Sequence, residues 1–327
     1  MRQPVPRTVS LSRDLLELAN ADNNQTKLAI AHRALGYSLF IAGEFAEATE
    51  RLAQGASLAD TISADEFTLY GEHPSMVCRA YGGQTAILMG FPDSGAKLIE
   101  AAVAHARQQN NAHSLAWALG VAAHTFQVQH EPMATNRFAS EAIDTAQAHR
   151  FPQWVSLGER CKGWAIHQLG EFEDGMSLLH EGVARWYETG AVLHRTHCEL
   201  CLVEAHLHES KFGVAREHLA RTRAHCESYG ENYLASEIDR LEAILATHEG
   251  APIAVAKKYV SKSMAIARKQ GARLLELRSA TLLAQILAEQ NERHLAVDTL
   301  DPIYGWFTEG FDTADLKQAR ALLEQLR

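Results

Sequence analysis

The feature that most restricts what this chain can fold into is a count. Candidate chain reversals fall at Gly43, Gly90, His130, Gly170, Ser210, Gly250 and Gln290, and from Gly90 onward each stands forty residues after the last. Only the first interval is longer, at forty-seven. Two residues past each reversal come Phe45, Pro92, Pro132, Phe172, Phe212, Pro252 and Glu292. Proline suits the first turn of a helix, where its missing N–H has no bond to lose, and phenylalanine there can close a hairpin end. Five past the reversal the side chains are mostly small: Ala48, Gly95, Thr135, Gly175, Ala215 and Val255, with the last repeat slipping one place to Ala296. Nine past it come Leu52, Ile99, Ala139, Leu179, Leu219 and Tyr259, then Leu300 one place late. A fixed period with its own residue type at each position predicts a solenoid. One such hairpin cannot bury its apolar face alone, so neighbours must stack.

Gly163 to Gly182 shows the unit. It reads as two antiparallel helices joined at Gly170, with Cys161, Trp164, Ile166 and Leu169 before the joint and Phe172, Met176, Leu179, Val183 and Trp186 after it at helical spacings. Gly163 and Gly175 leave room for two facing helices to approach. Ahead of the repeats, residues 1–10 read as a flexible tail and roughly Ser12 to Ala21 as a short helix, broken at Asn23 and Asn24. At the other end, Thr313 can cap an amphipathic helix running to Leu326, whose polar outer face is what a terminal repeat needs. The expectation is an all-α right-handed superhelix of about seven helix hairpins. It forms a single solenoid over residues 11–327, with a capping helix at 313–326.

Composition supports this and excludes other classes. Of 327 residues 46% are apolar, and Ala and Leu lead them, as in helical proteins. A net charge of -9 argues against general binding to a phosphate backbone. Five cysteines, an odd number with no disulfide framework, fit a reducing cytoplasm. Met1 to Arg7 lacks the apolar run of a signal peptide. The stretch Asn110 to His130, free of Asp, Glu, Lys and Arg, carries His113, His124 and Gln127 and makes a poor membrane span. A cytoplasmic protein is expected, with neither nucleic acid nor membrane as partner.

Chemistry-bearing patterns are few. His194, His197, Cys198 and Cys201, with His206 and His208 beyond, have residue types that bind zinc. On one helix they form a stripe rather than a cage, so packed thiols and surface histidines are the preferred reading. Gly90 to Lys97 resembles a phosphate-binding loop, but Ala96 separates Gly95 from Lys97 and no strand precedes it. Lys257, Lys258, Lys262, Arg268, Lys269 and Arg273 form a basic run, read as a solvated face with room for an acidic partner. No nucleophile elbow, His-Glu-x-x-His or dinucleotide fingerprint occurs. No catalytic residue, metal or cofactor is expected, and the chain does not read as an enzyme.

The small–aromatic–small pattern, with Leu35-Gly36 and Ala48 in the first repeat, is similar to the tetratricopeptide repeat in the longer-loop form of MalT-like bacterial regulators. Tyr70 to Cys78 and Tyr304 to Leu316 are more specific. They resemble the C-terminal repeat module of bacterial proteins that join an adenylate/guanylate cyclase or regulatory domain to a STAND-type ATPase. The resemblance spans about residues 20–327. It implies a regulatory module in bacterial signal transduction that binds a protein or peptide partner, with a cyclase or ATPase domain as candidate. Recognition would fall in the concave groove lined by the first helix of each pair. The repeat register carries Tyr37, Gln84, His124, Gln127, Arg160, Trp164, His167, His197, Glu204, His208, Glu237 and Arg240 into that groove, with Trp164 as anchor and Arg160 as orienting group. The alternatives are a sensor of a small molecule or peptide pheromone with an enclosed pocket, and a self-association scaffold or homodimer. An open groove would favour the first reading and a closed array with a polar cavity the second.

Overall fold

Left-handed backbone turns punctuate the chain about every twenty residues. Positive φ occurs at Asn23, Gly43, Gly90, Asn110, His130, Arg150, Gly170, Gly190, Ser210, Gly230, Gly250, Gly271, Asn291 and Gly310. Each of these but Gly310, which lies in the loop before the last helix, follows the end of a helix, because a residue in this conformation lets the next N–H reach back to the last free carbonyls. The final reversal lies at Asn291, one residue beyond the expected Gln290.

The computed structural model describes residues 3–327, with the backbone alone at 68–70, so the Tyr70 side chain lies outside the described residues. Between the turns run α1 (Val5–Asp22), α2 (Gln25–Ala42), α3 (Phe45–Ala59), α4 (Pro74–Leu88), α5 (Pro92–Gln108), α6 (Ala112–Val128), α7 (Pro132–Ala148) and α8 (Pro152–Gln168). There follow α9 (Phe172–Glu188), α10 (Arg195–His208), α11 (Phe212–Tyr229), α12 (Ala235–His248), α13 (Ile253–Gln270), α14 (Arg273–Glu289), α15 (Arg293–Tyr304) and α16 (Ala314–Leu326). A 3-10 turn, Ala64–Tyr70, fills the long first interval. No strand occurs among the described residues.

Consecutive helices pack as hairpins, and the even-numbered ones also pack on each other. They therefore form the inner layer of a right-handed superhelix, and α3, α5 and their odd-numbered successors the outer layer. Burial follows from this. Outer helix α5 buries a stripe of Gly95, Ile99, Ala102, Val103 and Ala106, the spacing of one helix face. Inner helix α6 is buried at every residue from Ala116 to Val128. Its polar members His124, Thr125 and Gln127 are thus inside the molecule.

The superhelix closes on itself after about one turn. The backbone N–H groups of Asn232 and Tyr233 donate to the Ile41 carbonyl at 2.9 and 3.2 Å. Gln270 donates to the Asn232 carbonyl at 2.8 Å. At the other rim Glu309 accepts from the Ser94 backbone and hydroxyl, each at 2.8 Å, and Asp93 accepts from the Gly310 N–H at 3.0 Å. The segment around Gly310, one of the two that carried the family resemblance, is a closing strap. Residues 3–10 do not behave as the expected tail. They begin at Val5 a helix that runs on to Asp22, with Val5 1% exposed and Pro6 packed against Gly230.

Candidate functional site

Closure turns the concave groove into an interior. At one end it leaves a cavity of about 580 Å3. The walls come from α1 (Thr8, Ser12), α2 (Tyr37), α4 (Tyr81, Gln84), α6 (Trp117, His124), α8 (Trp154), α9 (Trp186) and the connection from Thr189 to His194. Five aromatic rings line it. Tyr37 and Tyr81 lie 4.3 Å apart, and Tyr81 meets Trp117 edge-on at 5.9 Å. Two of the three indole N–H groups are satisfied: Trp154 donates to His113 at 3.0 Å and Trp186 to the Leu193 carbonyl at 3.1 Å. His194 holds the inner corner in a left-handed conformation, φ 64°, between the hydroxyls of Tyr37 and Tyr233, each 3.2 Å away. Burial, then the nearby Arg160 cation, push its pKa down to about 3.

Beyond His124 and His194 the axis is plugged. Arg160 is fully buried and donates to His197 Nδ1 at 2.9 Å and to His124 Nδ1 at 3.0 Å. Behind it, a void of about 20 Å3 touches Gln127, Trp164, His197, Cys201, Glu204 and Glu237, room for about one water. A second hollow of about 740 Å3 follows, lined by His130, Trp164, Glu204, His208, Arg240 and Ile244. A charged network governs this end. Glu204 pairs with His130 and Arg240, each at 3.4 Å, and Arg240 with Glu237 at 2.7 Å. Arg278 pairs with Asp315 at 2.8 Å. Burial opposes the charge of Glu204, but His130, Arg240 and Arg278 outweigh it and hold its pKa down to about 2.

The residues expected to line an open groove are therefore sorted by depth. Tyr37, Gln84 and His124 line the first cavity. Gln127, His197 and Glu237 line the narrow throat, and Trp164 and Glu204 reach both it and the second hollow. His208 and Arg240 line that hollow alone. His167 lies outside all three, buried beside Phe172 and His208. Two expectations need correcting. Arg160 is inside the plug, out of reach of a partner lying along the groove. Trp164 is 2% exposed and donates to Glu204 at 3.3 Å, so it packs between repeats. The chain reads as a groove only until its two rims meet.

The thiols are structural. All five cysteines are buried and free. Burial pushes Cys78 and Cys198 up to about 12 and Cys161 and Cys226 up to about 11, so little thiolate forms. Among the described residues no group of three His, Cys, Asp or Glu side chains is placed to hold a metal. His197 and His206 are buried, not the surface histidines the sequence suggested.

Tyr81, Trp117, Trp154, Trp186 and His194 are among the wall residues that sequence reasoning missed. A signal for one of them existed. Trp117 stands eighty residues before His197, a position the repeat register carried into the groove.

This arrangement has the fold of tetratricopeptide-repeat proteins. The chain is similar in structure to a Rap protein complexed with competence and sporulation factor, with a TM-score of 0.62, 10% identity, 95% of this chain and 80% of that one. It is similar to the apo form of RapI, with a TM-score of 0.54, 12% identity, 89% of this chain and 99% of that one. It also matches the APC/C hetero-tetramer Cut9–Hcn1, with a TM-score of 0.56 at 12% identity, where it spans 53% of the other chain. No protein-family model and no curated protein sequence matches the chain. No helix among the described residues is long and apolar enough to cross a membrane.

Proposed function

We propose that this chain is a non-catalytic regulatory module that takes a short peptide segment or a ligand of similar size into the cavity between α2, α4, α6 and α8. The observation that carries this reading is the closed superhelix with an aromatic cavity of about 580 Å3, inside the usual range for ligand sites. It supports this reading over that of a long partner laid along an open groove. The fold shared with the Rap protein complexed with competence and sporulation factor is compatible with an enclosed ligand. Binding would act by tightening the contacts that close the ring, and so alter the outer surface offered to an attached or separate partner. A bacterial signalling role, a cytoplasmic setting and a cyclase or ATPase domain as that partner belong to this proposal.

The test is to fill the cavity. Ala34 is half-buried on its wall. The purified chain is expected to retain members of a random short-peptide pool in native mass spectrometry. Ala34→Trp is expected to lose them while keeping the helical circular dichroism. Equal retention by both proteins would reject the cavity.

A further inference from the structure

Arg160 brings a full positive charge to the axis of the superhelix and meets no carboxylate there among the described residues. Its two hydrogen-bond partners are imidazole nitrogens, His197 Nδ1 and His124 Nδ1. A guanidinium can only donate. Both Nδ1 atoms therefore accept, and each neutral ring carries its proton on Nε2. Burial first, and Arg160 among the nearby cations, keep both rings neutral by pushing their pKa values well down. His197 Nε2 has Cys201 Sγ at 3.5 Å. His124 Nε2 has no partner, and His124 lines the cavity.

Gln84 precedes His124 by one forty-residue step. It is fully buried and lines the same cavity, yet neither its amide nitrogen nor its amide oxygen has a partner. A buried cation without a counter-ion is costly, and each unmade bond adds to the cost. The Arg160 cation, the His124 Nε2–H and the Gln84 amide N–H share one remedy, an anionic acceptor in the cavity. Only one acidic side chain, Glu72, lines it, and that carboxylate pairs with His113 at 3.4 Å.

We propose that the ligand presents a carboxylate to His124 Nε2–H and the Gln84 amide, with Arg160 behind His124 supplying the charge that selects it. This rests on the cavity being the ligand site. Two neutral donors match the two oxygens of a carboxylate, and the low-dielectric surroundings make the Arg160 field count at that distance. Tyr37, Tyr81 and Trp117 then receive an apolar or aromatic body next to the acid. The C-terminus of a short peptide and an Asp or Glu side chain both offer this chemistry.

Three pools of random short peptides separate the outcomes, each incubated with the full chain and read by native mass spectrometry. One has a free C-terminus but no Asp or Glu. A second is amidated and contains Asp and Glu. The third is amidated without Asp or Glu, and so holds no carboxylate. The third is expected to be retained at least about tenfold less than the better of the other two, and which of those leads identifies the source. Equal retention of all three overturns the carboxylate while leaving the cavity reading intact. Retention of none overturns both. Gln84→Met, which removes an amide with no bond to lose, should keep the fold and narrow the preference for acid severalfold. An unchanged preference in that variant overturns the assignment.

Discussion

Gly163 and Gly182 decide how α8 and α9 meet. A Cβ on Gly163 would lie 2.3 Å from the Leu179 backbone nitrogen, and one on Gly182 would lie 2.4 Å from that of Arg160. Neither neighbour can yield, because both are main chain inside helices. The close approach brings the Arg160 backbone against α9, and its side chain runs inward to the two histidines. Gly163→Ala is accordingly expected to destabilise the protein by about 3 kcal/mol, read as a lower urea midpoint. A midpoint within error of the wild type would mean that the pair can separate freely. Leu179, nine residues past its joint, and Gly163 were both visible in the sequence as packing positions. The burial of Trp164 was not. Its spacing is the same whether the ring faces a groove or a neighbouring repeat, and only the Glu204 carboxylate 3.3 Å away shows which.

At the scale of the element, α16 is more than a lid. Its Asp315 is paired with Arg278 of α14 at 2.8 Å, with both side chains nearly fully buried, and Arg278 also donates to the Val128 carbonyl at the end of α6 at 2.7 Å. The Ala314 N–H adds a bond to Glu131 at 3.2 Å. One residue thus joins the last helix, an inner helix and a helix from the opposite side of the ring. Removing one partner of a buried ion pair leaves the other uncompensated. Arg278→Met is expected to cost about 3–5 kcal/mol, and Arg278→Met with Asp315→Leu to recover much of that loss. Equilibrium denaturation of the single and double variants measures it; additive losses would show that the two groups do not act as a pair. The amphipathic pattern of residues 313–326 was legible from Leu316, Ala319 and Leu323. Its apolar face and polar face say nothing of which helix lies across from Asp315.

For the whole molecule, the stacking of hairpins places many histidines inside. Burial, then His105, pushes His73 down to about 4; burial, then His218, does the same to His206. His194 lies lower still, at about 3. All three take up protons near pH 6.5 when the chain is unfolded. Between that pH and about 4 the unfolded chain binds more protons than the folded one, so stability falls as the pH drops. Glu204, held down to about 2, extends the loss below pH 4.5, since its stabilisation disappears as the folded carboxylate is protonated. A fall in melting temperature from pH 7 to pH 4 is expected, equivalent to a few kcal/mol. A flat profile would show that these rings are reached by water in the folded state.

What the sequence determined by itself is the periodic part. Left-handed joints, first-turn prolines, small contact residues and the amphipathic faces are local, repeat with the chain, and need no knowledge of what lies across a gap. The tertiary structure decided the rest, because the number of hairpins in one superhelical turn is a sum of small rotations that no single repeat encodes. That sum brings Asn232 to Ile41 and Gly310 to Asp93. It converts a groove into a cavity, while the stacking of neighbouring inner helices puts Arg160 between two histidines rather than before a partner and leaves Gln84 and His124 with bonds still to make.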